Sequence, residues 1–241
     1  MKKKTLCSIA GIISSAVIAA SSITALAADV DVYAEGAYTD TDLVVYIYAD
    51  INTADPLVSA GVKLSYDSSK LTFASAIKND TDWYFGTSAL KHPYQDPQDT
   101  GSSVVFLCGK IDEITPTEGV TGTRKLIGKA TFNRTESAAP GTSPETYFGS
   151  ALELGVTRTD GGEFANFVTT GEAVLDNTAS LDMSNVIIRE RGDANADGTI
   201  SVQDILRAKS LIGTTDFPVY SDCNDSGDIS VQDILCIKSK I

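Results

Sequence analysis

The chain has only one histidine, one tryptophan and four cysteines in 241 residues, and it is short of basic side chains. Because His92 is the single histidine, histidine-rich metal sites are excluded, and any Ser-His-Asp triad would have to use this one residue. With 19 Lys and Arg against 32 Asp and Glu, the net charge is −13. Nucleic acids and anionic membranes both need a basic protein face, so neither is expected as a partner.

The four cysteines do not form a recognisable disulfide framework. Cys7 lies in the N-terminal leader, and an odd, sparse set of three remains behind it. Cys108 lies in the apolar run 104–108 and is predicted to be a small core residue. A bridge between Cys223 and Cys236 is left open.

The N-terminus has the pattern of a secretory signal peptide over residues 1–27. Three lysines, Lys2–Lys4, precede an apolar run from Leu6 to Ala20, and the sequence Ala25–Ala27 supplies small residues for cleavage. Cleavage is expected after Ala27 or Ala28, and a retained membrane anchor is the alternative. No later segment approaches 18 consecutive apolar residues. The sequence therefore predicts a secreted protein.

The last fifty residues contain an internal repeat. Residues 193–212 align with residues 222–241, and 13 of the 20 positions are identical. The shared segment Ile-Ser-Val-Gln-Asp-Ile-Leu occurs at 200–206 and again at 229–235. Two registered copies of this length indicate one structural unit used twice.

Each copy begins with a twelve-residue segment, which is counted from Asp193 in the first copy and from Asp222 in the second. It has oxygen-bearing side chains at positions one, three and five, a glycine at position six and an aspartate at position twelve. This spacing is typical of a calcium loop, because Ca²⁺ takes six to eight hard oxygens from a chain that turns sharply around it. Two ions are predicted, one in each loop. The expected ligands of the first are Asp193, Asn195, Asp197, Thr199 (through its carbonyl), Ser201 (through water) and Asp204. Those of the second are Asp222, Asn224, Ser226, Asp228, Ser230 and Asp233.

Each loop is predicted to lead into a helix, with no helix entering it. The first exiting helix begins with a capping box over 201–204, and Gly213 suits its far end. Only residues 213–221 separate the copies, and they include a glycine and a proline, so no entering helix fits there. The apolar residues of each helix fall near one helical stripe, which consists of Val202, Ile205, Leu206 and Ile212 in the first and of Val231, Ile234, Leu235 and Ile241 in the second.

This duplicated loop-helix pattern resembles the dockerin domain, and residues 188–241 are assigned to it on that basis. The resemblance implies calcium-dependent docking into a cohesin domain of a larger scaffoldin. It also implies partner contacts at loop positions ten and eleven and at helix lysines. These positions hold Val202, Gln203, Lys209, Val231, Gln232 and Lys238. Many dockerins carry Ser-Thr at positions ten and eleven, so the departure leaves the partner class open. The alternative is that both valines are simply buried.

Residues 28–187 have the pattern of a β-sandwich or jelly roll. Short β-rich runs are separated by turn clusters, and alternate residues from Val58 to Tyr66 are apolar. The predicted strands are Leu43–Ala49, Leu57–Tyr66, Leu71–Ile77, Val104–Cys108, Leu126–Phe132 and Ala151–Val156.

The segment Ser59–Phe73 is similar to the early strand pair of cohesin domains, and the strands at Lys125–Phe132 and near Asn166–Leu175 fall where a cohesin places them. The resemblance implies a face that receives another protein's dockerin. The fold class is therefore an all-β, jelly-roll, cohesin-like sandwich followed by a small α-helical dockerin.

Two alternative functions for the sandwich need features of their own. A carbohydrate-binding module needs an exposed aromatic platform, and Trp83-Tyr84-Phe85 is the one candidate cluster. A glycoside-cleaving enzyme needs an acid and a base side chain positioned on either side of the bond that it breaks, and no catalytic motif is recognisable. The favoured prediction is a non-catalytic, monomeric adaptor of a cellulosome-type complex. Its dockerin docks into a scaffold cohesin, and its cohesin-like domain recruits dockerin-bearing polysaccharide-degrading enzymes.

Overall fold

The computed structural model describes residues 29–87, 90–92, 96–112, 118–135, 137–138, 140–157 and 165–241. The predicted signal peptide, residues 1–27, lies outside the described residues.

The first sheet contains five strands in the order β13-β1-β2-β10-β4 among the described residues. These strands are β1 (Val30–Tyr38), β2 (Asp42–Ile51), β4 (Leu71–Lys78), β10 (Gly122–Arg134) and β13 (Leu181–Glu190). Strand β1 pairs in parallel with β13 and antiparallel with β2. The last strand of the sandwich therefore lies beside the first.

The second sheet packs against the first, with the order β11-β3-β8-β7 and with β12 also paired to β3. Its strands are β3 (Leu57–Tyr66), β7 (Gln98–Asp99), β8 (Ser103–Gly109), β11 (Leu152–Val156) and β12 (Val168–Thr169). The predicted alternation is present in β3, where Ala60, Val62, Leu64 and Tyr66 are buried. Val58 departs from it, being only half-buried.

Three shorter strands and one helix complete the sandwich. Strands β5 (Phe85–Thr87), β6 (Leu90–His92) and β9 (Ile111–Asp112) form a small separate sheet. Helix α1 (Pro144–Gly149) was not predicted. It begins at Ser143, whose hydroxyl accepts a hydrogen bond from the Thr146 amide, and proline occupies its first position.

The core lies between the two large sheets, and it confirms the predicted β-sandwich. Trp83, Phe106, Phe132, Phe148 and Phe167 are its largest buried side chains. All six predicted strands are present, most of them extended by a few residues. Cys108 is buried in this core with a free thiol, as predicted, and burial raises its pKa to about 12.

Two helices follow the sandwich, each directly after one of the predicted loops. They are α2 (Val202–Leu211) and α3 (Val231–Lys240), and both start with a capping box, which was predicted for the first. Gly213 lies just beyond α2 with φ of +79°, a backbone conformation that favours glycine. In this fully described stretch, the connection between the copies holds only a short 3₁₀ turn at Val219–Ser221. The predicted absence of an entering helix before the second loop is confirmed.

The predicted apolar stripe does not form the buried face of these helices. Val202, Leu206 and Ile212 are 61%, 62% and 43% exposed, and their counterparts in the second copy are exposed as well. The buried face of α2 is instead formed by Asp204, Ala208 and Leu211. The spacing of these three residues, four and then three, is that of one helix face, and it is centred on the loop aspartate.

The two loops and helices, residues 193–241, are called the C-terminal module below. Their small core places Ala194 and Ala208 of the first copy against Cys223, Ile229 and Ile237 of the second. The module packs on the outer face of the first sheet, where Val219 and Tyr220 contact Ala37 and the Tyr46 and Tyr48 side chains lie alongside. Within the described part of the chain, no helix is both long and apolar enough for a membrane span.

Candidate functional site

The two predicted calcium loops, Asp193–Asp204 and Asp222–Asp233, follow the same backbone path. Position four has a positive φ in both, +61° at Ala196 and +57° at Asp225. Position six, the glycine, has φ of +87° in both. A non-glycine residue with positive φ is uncommon, so its recurrence at the same position indicates that both copies make the same turn.

The carboxylate at position one points into the turn of its own loop. Asp193 accepts hydrogen bonds from the amides of Asp197 (3.1 Å) and Gly198 (2.9 Å). Asp222 accepts the equivalent bonds from Ser226 (3.0 Å) and Gly227 (2.6 Å). Both aspartates are nearly inaccessible to solvent.

The carboxylate at position twelve closes each loop from the helix side. Asp204 accepts from the amides of Asn195 (3.0 Å) and Ser201 (2.8 Å). Asp233 accepts in the same way from Asn224 (3.2 Å) and Ser230 (2.9 Å). Both are fully buried, so each loop holds two carboxylates away from solvent.

The loops differ at position five. Asp197 in the first loop accepts bonds from the Thr199 amide and hydroxyl, which lower its pKa, and from Asn195. Ser226 takes its place in the second loop and donates to Asp228 at 2.8 Å. Among the positions whose side chains are expected to bind the ion directly, the second loop therefore offers one carboxylate fewer, although Asp225 and Asp228 give it four aspartates in all against three in the first.

The oxygen atoms in both loops are suitable ligands for a hard divalent cation. Burial raises the pKa of Asp193 and of Asp222, and the position-twelve aspartate of the same loop raises it further. Confined carboxylates of like charge are stabilised by a cation that takes oxygen ligands. Across the described residues, no three Asp, Glu, His or Cys side chains converge closely enough to hold a metal ion on their own. The predicted ligand sets also use amide, hydroxyl and backbone carbonyl oxygens.

Cys223 and Cys236, whose pairing the sequence left open, form a disulfide. Cys223 stands at position two of the second loop, and Cys236 lies on α3. Their equivalents in the first copy, 29 residues earlier, are Ala194 and Arg207. Only the second loop is thus tied covalently to its own helix.

The predicted partner-binding residues lie at the surface of the module. Val202 and Val231 are 61% and 62% exposed, so the alternative that they are buried is wrong. Gln203, Lys209, Gln232 and Lys238 are also exposed. Leu206 and Leu235 are exposed one turn further along each helix. Each copy thus presents a Val-Leu pair to solvent, and the described residues expose four other large apolar side chains.

The module is attached to the sandwich through a buried ion pair that the sequence did not reveal. Arg124 on β10 forms two parallel hydrogen bonds to Glu35 on β1, at 2.6 and 2.7 Å, and donates to the Phe217 carbonyl at 2.5 Å. Glu35 in turn accepts from the Val219 amide at 3.1 Å. The guanidinium also lies 4.2 Å from the centre of the Tyr48 ring. Residues 89 positions apart create this contact, so no local pattern could indicate it.

A cavity of about 520 Å³ lies between the module and the first sheet. Tyr46, Tyr48, Arg124 and Asp228 are among the residues that line it. Both tyrosine rings already carry cations, Lys129 over Tyr46 and Arg124 over Tyr48. The cavity is a feature of this interface.

The aromatic platform weighed for carbohydrate binding is contradicted by the structure. Trp83 is 2% exposed and donates its indole N–H to the Leu126 carbonyl, and Tyr84 is 8% exposed. Residues this deeply buried offer no ring face to a sugar. The side chains of Phe85 and His92 lie outside the described part of the structure.

Comparison with known proteins gives structural likenesses only. No protein-family model matches the chain, and no curated protein matches it. Among solved structures, the chain is similar to a cohesin of scaffoldin B from Acetivibrio cellulolyticus, solved in complex with a dockerin (13% identity, TM-score 0.41, 66% of this chain and 99% of that chain). It is also similar to a type III cohesin from a cell-surface anchoring scaffoldin of Ruminococcus flavefaciens (10%, 0.43, 67% and 88%). A third is a non-cellulosomal cohesin from the archaeon Archaeoglobus fulgidus (13%, 0.38, 70% and 96%).

Proposed function

We propose that the protein is a secreted, non-catalytic adaptor of a cellulosome-type complex. Its C-terminal module is a dockerin that binds two Ca²⁺ ions and docks into a cohesin of a larger scaffoldin. Its cohesin-like sandwich recruits dockerin-bearing polysaccharide-degrading enzymes. The adaptor changes which enzymes the complex carries and performs no chemistry of its own.

The observation that carries the proposal is the exposed Val-Leu pair on each helix, directly after a loop with two buried carboxylates. Exposed apolar side chains grouped in this way are typical of protein-binding surfaces. The two pairs come from equivalent positions of the repeat, Val202 with Leu206 and Val231 with Leu235. Calcium bound in the loops would fix the start of each helix and hence the position of its pair.

The C-terminal module covers only one face of the sandwich, which supports a second partner on the other face. The module packs on the outer face of the first sheet through Glu35, Ala37 and Tyr46. The second sheet, with β3 and β8 at its centre, is therefore the face assigned to the recruited dockerin. Secretion is supported by the Cys223–Cys236 disulfide, because such bonds persist in oxidising compartments.

Binding between purified proteins tests both halves of the proposal. The full chain is immobilised and exposed separately to scaffoldin cohesins and to dockerin-bearing enzymes, in Ca²⁺ and in EDTA. The cohesins and the enzymes should both bind in Ca²⁺, and both should be released in EDTA. A Val202→Asp/Val231→Asp double variant should lose the cohesins and keep the enzymes. If the double variant binds cohesins as the unchanged protein does, the Val-Leu pairs are not the docking surface.

Because both copies present the same residues, either should be able to dock. Changing Gln203→Asp alone should weaken cohesin binding by roughly twofold, since one of two equivalent binding modes is removed. The Gln203→Asp/Gln232→Asp double variant should abolish binding, as measured by calorimetry. Loss of all binding in the single variant would show that only one mode exists.

A further inference from the structure

The sandwich contacts both loops at position four, and it holds the second one more strongly. The Asp225 carboxylate lies 3.5 Å from Lys129 Nζ and 3.6 Å from Arg191 Nη1. It also accepts a 3.4 Å hydrogen bond from the Tyr46 hydroxyl. Lys129 and Tyr46 are paired residues of β10 and β2, so this contact rests on the rigid sheet.

The first loop has a weaker attachment at the same position. Ala196 has no charged side chain, and its carbonyl accepts one bond from Arg189 Nε at 3.3 Å. The same nitrogen lies 4.0 Å from the Asp193 carboxylate. Two side chains of the first sheet and Arg191, which directly follows β13, thus hold the second loop, and one side chain of β13 holds the first.

The disulfide adds a further difference in the same direction. It joins position two of the second loop to α3, while Ala194 and Arg207 at the equivalent places in the first copy cannot be joined. The loop with fewer charged ligands, because of Ser226, is therefore the loop whose shape the protein itself maintains. A binding site whose shape is already fixed loses less conformational entropy when the ligand binds.

We propose that the two repeats depend unequally on calcium. The second loop is held in its metal-binding form by the disulfide and by the sandwich contacts of Asp225, so α3 remains folded on the sandwich without Ca²⁺. The first loop and α2 fold only when Ca²⁺ is bound. This inference rests on the calcium binding proposed above, and it assigns the Ca²⁺-dependent change to the first copy.

Amide hydrogen exchange on the full chain, read by mass spectrometry in Ca²⁺ and in EDTA, tests the inference. Amides of Val202–Leu211 should lose at least a hundredfold of protection in EDTA. Those of Val231–Lys240 should change by less than tenfold. Equal loss in both helices, or protection of both in EDTA, would overturn the proposal.

Two matched variants identify the cause. Cys223→Ser/Cys236→Ser should make α3 as sensitive to EDTA as α2, with both helices still protected in Ca²⁺. Ala194→Cys/Arg207→Cys, which builds the equivalent bridge in the first copy, should keep α2 protected in EDTA. If the serine variant does not fold in Ca²⁺, Asp225→Ala with the disulfide intact provides the test, and it should also raise the EDTA sensitivity of α3. Unchanged protection of α3 in both the serine and Asp225→Ala variants would contradict the assignment.

Calcium titration by calorimetry separates this inference from the proposed function. In the unchanged protein two ions should bind, and in the Cys223→Ser/Cys236→Ser variant one affinity should fall at least tenfold while the other stays within twofold. If the unchanged protein binds no Ca²⁺, both the proposed function and this inference fail. If two ions bind but the serine variant weakens neither or weakens both equally, only the inference fails.

Discussion

Thirty of the described residues form the buried cluster between the two sheets of the sandwich, whereas six form the buried cluster of the C-terminal module. The sandwich cluster contains large side chains such as Trp83 and Phe132. The module's cluster includes two alanines and a disulfide cysteine. Burial of apolar surface is the main favourable term in folding, and a fifty-residue unit has little of it.

The comparison shows two ways in which one chain is stabilised. The sandwich depends on its core, and its stability should be indifferent to Ca²⁺. The module has one disulfide and the contact with the sandwich as additional constraints, and the proposed Ca²⁺ ions would be a third. Variants in each part should therefore respond differently to the removal of Ca²⁺.

Removing a large core side chain should have the largest effect. Phe132 is fully buried between Tyr66 and Phe73, and Phe132→Ala should lower the free energy of unfolding by about 4 kcal/mol through lost burial and the cavity left behind. The loss should be the same in Ca²⁺ and in EDTA when measured by urea denaturation. Phe73→Ala, at a half-buried position, is the matched control and should cost less. A loss that depended on Ca²⁺ would contradict the independence of the sandwich core.

Breaking the ion pair under the module should have the next largest effect. Arg124→Ala leaves Glu35, which is 7% exposed, without its cation, and an unpaired buried charge costs about 3 kcal/mol or more. The loss should appear in the urea transition of the module. The Glu35→Ala/Arg124→Ala double variant should lose less than the two single changes together, because neither charge is left alone. Additive losses would show that the pair does not join the two parts.

The smallest effect is expected from a charge on the sandwich sheet. Asp31 on β1 pairs in register with Asp182 on one side and Asp50 on the other, and its pKa is raised by burial and then by these two carboxylates. The folded state therefore binds this proton more tightly than the unfolded state does. The resulting penalty is absent below the unfolded pKa of about 3.9 and complete once the pH exceeds the raised folded value.

Asp31→Asn should consequently stabilise the sandwich at pH 7 by about 0.5 kcal/mol, with the difference vanishing toward pH 3. Urea denaturation across this pH range measures it. Asp182→Asn is the control: it also relieves the repulsion on Asp31, but hydrogen bonds from Ser184 lower the pKa of Asp182 and favour its charged form, so its neutralisation should stabilise less. Stabilisation of equal size by both variants would show that the effect is one of net charge alone.

The sequence predicted the elements that carry a regular local signal. The alternation of apolar and polar residues predicted β3. The repeat predicted both loops and the helix that follows each of them. Strands β1 and β13 were not predicted. Strand β13 (LDMSNVIIRE) alternates poorly and is placed by its pairing with β1. The apolar stripe did not identify the buried face of the helices, because Val202 and Leu206 have core-like chemistry but face solvent.

The attachment between the two parts could not be predicted from sequence. It joins Glu35 on β1, Arg124 on β10 and the 217–219 segment, which are brought together only by the folded sheet. The disulfide also needed the structure, since Cys223 and Cys236 become neighbours only when the loop turns back onto its helix. The calcium ligands and docking residues remain predictions that their spacing and exposure support.

Scanning calorimetry of the full chain with and without Ca²⁺ tests the central claim most directly. Ligand that binds only the folded state stabilises it by about 4 kcal/mol at a thousand times its Kd. The account predicts a module transition that moves to higher temperature as Ca²⁺ is raised and a sandwich transition that stays in place. A module transition unmoved by saturating Ca²⁺ would contradict the account.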